Sequence, residues 1–378
     1  MEPKLTESKS HQITAVTSRK KLLIVVPKAF LPELTGGLEI SAYEVAKLYI
    51  LQDFEVHVAA GTLGKGSAKV LERIRRKVFG GYSDQKKLHQ INICTDLWHP
   101  IGLEQLVKRL NPSGVLFFTS GTDDVTSKII KINLPTAIFL CGVKMSQKLR
   151  DTNQMTNCEF ICESSFISEQ AQLKLGVTAR KISPLMPRQK YSVTKTGNKI
   201  LVVNPNPEKG GAIILKIAKE MSHRQFLVVG GWQHESTNSE INDIENGLKA
   251  LPNVQRLPNT EDMKPIFEQS YCLLMPCIVE EAYGRIAAEV QISGLPVIAS
   301  TQGALAETVG EGGITMDYLS PIATWVTTLE SLFCDTEMYK KLSLLAITES
   351  NKPERQASFI KDKLSQLIAD LTVKSNDK

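Results

Sequence analysis

The chain has 378 residues, 42% apolar and 22% charged, with 45 Lys and Arg against 40 Asp and Glu and a formal net charge of +5. That length corresponds to about two domains, and the composition excludes disordered, fibrous and membrane-spanning classes, since no apolar run approaches the roughly 18 residues a bilayer crossing needs. So small a positive excess suits an anionic ligand or an anionic membrane surface without selecting either.

Residues 1–20 are polar and charged, lack the apolar core of a secretory signal, and read as a disordered leader. Residues 21–27 (KLLIVVP) form a buried-strand run, followed by a glycine loop and by apolar residues at helical spacing over 38–51. Further strands are expected at 55–60, 114–119 and 136–140, which gives a first domain over 21–187. Between two of them, residues 65–87 carry Val70, Ile74 and Val78 at helical spacing with Arg73, Arg75, Arg76 and Lys77 interspersed. Such a basic amphipathic helix is either an ordinary surface helix or a peripheral membrane contact. Aromatic residues are not interleaved with it, so no nucleic acid partner is expected.

Residues 188–198 are polar and read as a structureless linker. The pattern then restarts: a strand at 199–203, a glycine loop, a helix at 212–221, and strands at 225–229, 254–257, 271–275 and 296–299. Alternation of this kind predicts an α/β chain of two doubly wound, Rossmann-like domains facing across a cleft, the second over 199–352. A final helical stretch within 353–378 is placed to pack back on the first domain. The seven cysteines (Cys94, Cys141, Cys158, Cys162, Cys272, Cys277 and Cys334) are odd in number and mostly in apolar surroundings, as free thiols of a reducing cytoplasm would be. Cys158 and Cys162 lack a second ligand pair, and no metal site is expected.

The most informative stretch is residues 276–310, PCIVEEAYGRIAAEVQISGLPVIASTQGALAETVG. Glu281 falls in a loop and Glu289 two turns into the following helix, roughly 12 Å away at 1.5 Å per residue. Each carboxylate accepts hydrogen bonds from two hydroxyls, and the helix start between them offers free N–H groups to an anion. A bare pair of glutamates at this spacing also reads as two solvated helix carboxylates, and the flanking pattern favours the ligand reading. In residues 204–211, NPNPEKGG, Lys209 beside glycines at a helix start is a phosphate-site arrangement. Thr35-Gly36-Gly37-Leu38-Glu39 is a third glycine turn, read equally as a tight strand-to-helix connection.

Together these segments resemble the donor-site signature of the retaining GT-B glycosyltransferases called glycosyl transferases group 1. Glu281, Tyr283, Gly284, Glu289, Gly294, Pro296, Val297, Ile298, Ala299, Gly303 and Glu307 fall on that pattern. The resemblance implies the GT-B architecture and transfer of a sugar from a nucleotide-diphosphate donor to an acceptor hydroxyl. Lys209 and Glu281 are the implied catalytic residues. Gly36, Gly37, Asn204, Gly210, Tyr283, Gly284, Arg285, Ile286 and Glu289 are the implied donor-binding residues. Glu281 is assigned to the sugar hydroxyls, Glu289 to the ribose and Lys209 to the diphosphate. No cofactor and no metal are implied, and the acceptor class extends to carbohydrates, lipid-linked molecules and small molecules. Two positions depart from the pattern: Asn204 stands where relatives carry an arginine, and Cys141 where they often carry a histidine. The departures motivate a second reading, a catalytically impaired relative that binds nucleotide sugars or serves as a partner subunit. A third reading is an epimerase or hydrolase acting on the nucleotide sugar itself. Of the other histidines, His57 is expected in a strand, His99 in a loop and His234 after a glycine turn.

Overall fold

Two sets of buried, β-branched runs build two separate sheets. The computed structural model describes residues 19–61, 86–94, 102–119, 121–155, 157–194, 197–231 and 239–376. The leader to residue 18, most of the basic 65–87 segment, His99 and His234 lie outside these.

The first sheet has eight strands: β1 (Lys21–Val26), β2 (Glu55–Ala60), β3 (Lys86–Leu88), β4 (Ile91–Cys94), β5 (Gly114–Thr119), β6 (Thr136–Leu140), β7 (Cys158–Cys162) and β8 (Ala179–Lys181). Their order is β3-β4-β2-β1-β5-β6-β7-β8, parallel except where β3 pairs antiparallel with β4. The second has β9 (Lys199–Val203), β10 (Phe226–Val229), β11 (Val254–Leu257), β12 (Ser270–Met275), β13 (Val297–Ser300) and β14 (Gly313–Met316), all parallel, in the order β11-β10-β9-β12-β13-β14.

Helices cover both faces of each sheet, so the strands read as continuous apolar runs. In β1, Leu22, Ile24 and Val26 enter one core cluster while Leu23 and Val25 enter the other. In β9, Ile200 and Val202 enter one cluster and Leu201 the opposite one. The strand order reverses beside β1 and again beside β9, and such a reversal opens a crevice beyond the carboxyl ends of the strands. The two crevices face one another.

The helix Ala357–Asn376 crosses back to the first sheet, where Ile360, Leu364 and Leu367 are buried in its core and the Tyr49 hydroxyl donates to the Leu364 carbonyl at 2.5 Å. Residues 188–198 are not wholly structureless: Arg188–Tyr191 forms a helical turn because the Tyr191 ring is buried in the second domain's core. Its polar flanks hide that anchor in the sequence. Strands β3, β4, β7, β8 and β14 also escape a reading of the sequence, being short or, as in β7 (CEFIC), interrupted by a charge. Among the described residues, no helix is long and apolar enough to cross a membrane.

Candidate functional site

Between the domains lies a cleft of about 630 Å³, within the size range of small-molecule sites. Its walls are the loops that leave the carboxyl ends of β1, β6, β7, β9, β10 and β12.

The loop after β9 folds as the prolines and asparagines dictate. Asn206 caps the short turn Pro207–Lys209, its side-chain oxygen accepting from the Lys209 N–H at 2.8 Å. Gly210 then takes φ +77 and admits the helix Gly211–Glu220. A Cβ on Gly210 would stand 2.1 Å from the Pro276 carbonyl oxygen, so only glycine lets this turn touch the loop after β12. The contact brings Lys209 Nζ onto Glu281 Oε1 in a mostly buried ion pair. Burial works against the Lys209 charge, but the Glu281 carboxylate outweighs it and lifts the ammonium above its ordinary range. Lys209 therefore stays cationic at any physiological pH.

Glu281 is itself held at its backbone. It bridges to Gly303, its carbonyl accepts from the Ala304 N–H at 2.9 Å, and Gly303 at φ +64 leaves room that a Cβ, 2.4 Å from the Glu281 carbonyl, would fill. Cys277 donates its Sγ–H to Glu281 Oε1 at 3.4 Å, and burial pushes that thiol well up, so it remains neutral. Two turns of backbone thus converge on one carboxylate.

Gly284 at φ +87 starts the helix Arg285–Gln291, which carries Glu289 in its second turn. Glu289 is buried, and its Oε1 accepts from Arg285 Nη2 at 3.2 Å. Arg285 Nη1 reaches across the cleft to Ser41 Oγ of the first domain at 2.9 Å, and Ser41 Oγ donates to Glu163 Oε1 at 3.2 Å. Burial opposes the Arg285 charge, while Glu289, Tyr191 and Glu163 together hold the guanidinium protonated. The Arg285 side chain also lies along the glycine loop, with Cδ 3.3 Å from where a Gly37 Cβ would stand.

Of the residues singled out in the sequence, Gly36, Gly37, Asn204, Lys209, Glu281, Tyr283, Gly284, Arg285, Ile286 and Glu289 all line this one cleft. Gly210 does not; its part is to close the turn behind Lys209. Asn204 has φ +55, which asparagine tolerates, and its side chain packs against the bare backbone of Gly231. Cys141 lines the cleft as a thiol that burial raises well above its ordinary range. His57 is buried in β2 on Glu55, at 2.7 Å, and takes no part in the cleft.

Sequence reasoning missed Glu163, Ser41 and the role of Glu307. A charged residue at the carboxyl end of a strand, as Glu163 is to β7, was the available signal. Glu307 accepts from the Ser165 N–H at 3.0 and 2.9 Å and pairs with Lys181 at 3.1 Å, while Ser164 Oγ donates to the Ala282 carbonyl at 2.6 Å. The turn after β7 is thereby fastened to the second-domain loops. No group of three or more potential metal ligands occurs among the described residues.

Residues 198–335 match the family described as glycosyl transferases group 1. Over 141 residues the chain is 34% identical to a D-inositol 3-phosphate glycosyltransferase of Corynebacterium kroppenstedtii, a match that covers 34% of this chain and 31% of that protein. It thus spans about a third of the length of that curated relative. The whole fold superposes on sucrose-phosphate synthase of Thermosynechococcus elongatus with a TM-score of 0.75 at 12% identity, covering 94% of this chain and 100% of the other. It also superposes on Anabaena HepE in complex with UDP-glucose, with a TM-score of 0.71 at 16% identity, covering 92% and 99%. The architecture is GT-B.

Proposed function

We propose that this chain, whose residues 198–335 carry the glycosyl transferases group 1 domain, is a retaining glycosyltransferase that moves a sugar from a nucleotide-diphosphate donor to an acceptor hydroxyl. The observation that carries the reading is the Lys209–Glu281 pair set beside the Arg285–Glu289 helix start, opposite Gly36-Gly37, in one cleft.

In this reading Lys209 gives up part of its contact with Glu281 to the donor diphosphate, and the N–H groups at the start of Arg285–Gln291 complete the anion site. Glu281, freed at one oxygen, takes the donor-sugar hydroxyls, and Glu289 takes the ribose. The charge that develops on the departing phosphate is met by a preorganised cation, an interaction typically worth about 3 kcal/mol. The reaction proceeds without a metal, so chelation leaves the rate unchanged.

Calorimetric titration of UDP, GDP, ADP and dTDP sugars into the wild type and Lys209→Ala tests the reading. The UDP sugars come first, because the similar fold of HepE binds UDP-glucose. Tight binding of one donor, lost in the variant, is the expected result; no binding of any donor ends the proposal. Asn204 and Cys141 favour a second reading, a nucleotide-sugar-binding partner subunit without turnover, which any detectable transfer eliminates.

A further inference from the structure

The loop that carries Glu281 is held at its carbonyls. Ser300 Oγ donates to the Cys277 carbonyl at 2.6 Å, the Ala304 N–H to the Glu281 carbonyl at 2.9 Å, and Thr308 Oγ1 to the Tyr283 carbonyl at 2.5 Å. These three donors belong to the second domain, as the loop does. A fourth does not: the Ala282 carbonyl, one residue past Glu281, accepts from Ser164 Oγ of the first domain at 2.6 Å.

Ser164 is fully buried just beyond the end of β7, where it also caps the helix Ser165–Leu175 by accepting from the Ile167 N–H at 3.2 Å. A hydroxyl has one proton and a carbonyl oxygen can only accept, so the cap bond leaves that proton to Ala282. The neighbouring contacts close a triangle around this bond. Glu307 accepts from the Ser165 N–H, and the next residue, Thr308, donates to Tyr283. The helix Leu305–Val309 therefore fixes both the Ser164–Ser165 turn and the far side of the Glu281 loop, and Ser164 joins the two directly.

Resting on the glycosyl-transfer reading, we propose that Ser164 is a positioning residue that sets Glu281 for the donor sugar, so that the first domain completes the sugar site of the second. The two successive peptide planes after the Glu281 Cα are pinned, one by Ala304 and the next by Ser164, and the carboxylate is presented from a loop that cannot swing. Tyr283 stays on Thr308 whatever Ser164 does, so the helix start that follows it and Lys209 keep their places. The consequence is selective. Losing the Ser164 proton weakens recognition of the sugar and spares that of the diphosphate.

The test titrates wild type, Ser164→Ala, Ser164→Gly and Ser164→Thr with the nucleotide sugar selected from the UDP, GDP, ADP and dTDP sugars and with its bare nucleoside diphosphate. Melting temperature is followed on each. Ser164→Ala removes both the cap and the donor proton, Ser164→Gly is tolerated as a cap but donates nothing, and Ser164→Thr keeps both. The expected result is nucleotide-sugar binding weakened about 3- to 10-fold in Ser164→Ala and Ser164→Gly alike, with nucleoside diphosphate binding within about twofold of wild type. Melting temperature falls further in Ser164→Ala than in Ser164→Gly, and Ser164→Thr binds both ligands as wild type does. A loss that follows melting temperature, or that falls equally on the two ligands, assigns Ser164 to helix capping alone. Either result overturns the proposal and leaves the glycosyl-transfer reading intact, as does a Ser164→Gly protein that binds the nucleotide sugar like wild type. A wild type that binds no nucleotide sugar overturns both.

Discussion

The glycine turns that shape the two sides of the cleft are built to different tolerances. On the second-domain side, Gly210 and Gly303 have positive φ and sit where a Cβ would strike a backbone carbonyl, at 2.1 and 2.4 Å. On the first-domain side, Gly37 has an ordinary φ and meets only the flexible Arg285 side chain, at 3.3 Å. The second domain thus fixes its wall of the cleft by backbone against backbone, which leaves glycines, prolines and two glutamates at set spacings. The first domain fixes its wall of the cleft by side-chain contacts, as Ser41 between Arg285 and Glu163 illustrates.

The strongest way to break this contrast is at Lys209, the cation that the second-domain loops hold against Glu281. Lys209→Ala removes the only side-chain cation hydrogen-bonded to Glu281 among the described residues and leaves a mostly buried carboxylate unpaired. Transfer is expected to fall about 10²–10³-fold in kcat/KM, with donor affinity falling alongside. Steady-state kinetics under saturating acceptor checks this, and an active variant would mean that backbone amides alone carry the diphosphate.

A second comparison uses matched substitutions on the two sides. Gly303→Ala forces alanine into positive φ against the Glu281 carbonyl, and about 2–4 kcal/mol of stability should be lost from the second domain. Gly37→Ala asks only that Arg285 shift by a few tenths of an ångström, and the expected loss is under about 1 kcal/mol. Denaturant titrations of the two variants measure both. Equal losses would show that the first-domain turn is as constrained as the second-domain turn.

The same contrast explains how much the sequence disclosed. Two doubly wound sheets were legible because β1, β5, β9 and β12 are buried on both faces and so read as apolar runs. Lys209, Glu281 and Glu289 were legible because their spacing is set by turns that tolerate few residues. Ser41, Glu163 and the Ser164–Ser165 contacts were not, since they arise from tertiary closure: Ser41 lies 122 residues from Glu163 and 244 from Arg285. The Arg188–Tyr191 turn was missed for the related reason that one buried aromatic decides it against four polar neighbours.

Glu307 joins the two halves and gives the smallest of the expected effects. From the second domain it reaches the first turn of the helix Ser165–Leu175, accepting from Ser165 and Lys181. Burial acts to raise its carboxyl, yet the Ser165 N–H and Lys181 win and hold it below its ordinary value. A carboxylate depressed in the folded state stabilises above its unfolded pKa, and that stabilisation is lost as pH falls through the folded value. The closed arrangement should therefore hold from neutral pH down to about 5 and loosen below about 4.5. Because the pair is part-exposed and screened by solvent, it contributes about 1 kcal/mol or less. Glu307→Gln keeps an acceptor for Ser165 but drops the charge, so its interdomain distance, followed by small-angle scattering, should vary less between pH 7 and 4 than that of the wild type. Identical pH profiles would assign domain closure to contacts other than the Glu307 pair, such as the hydrogen bond from Ser164 to the Ala282 carbonyl, which carries no titrating group.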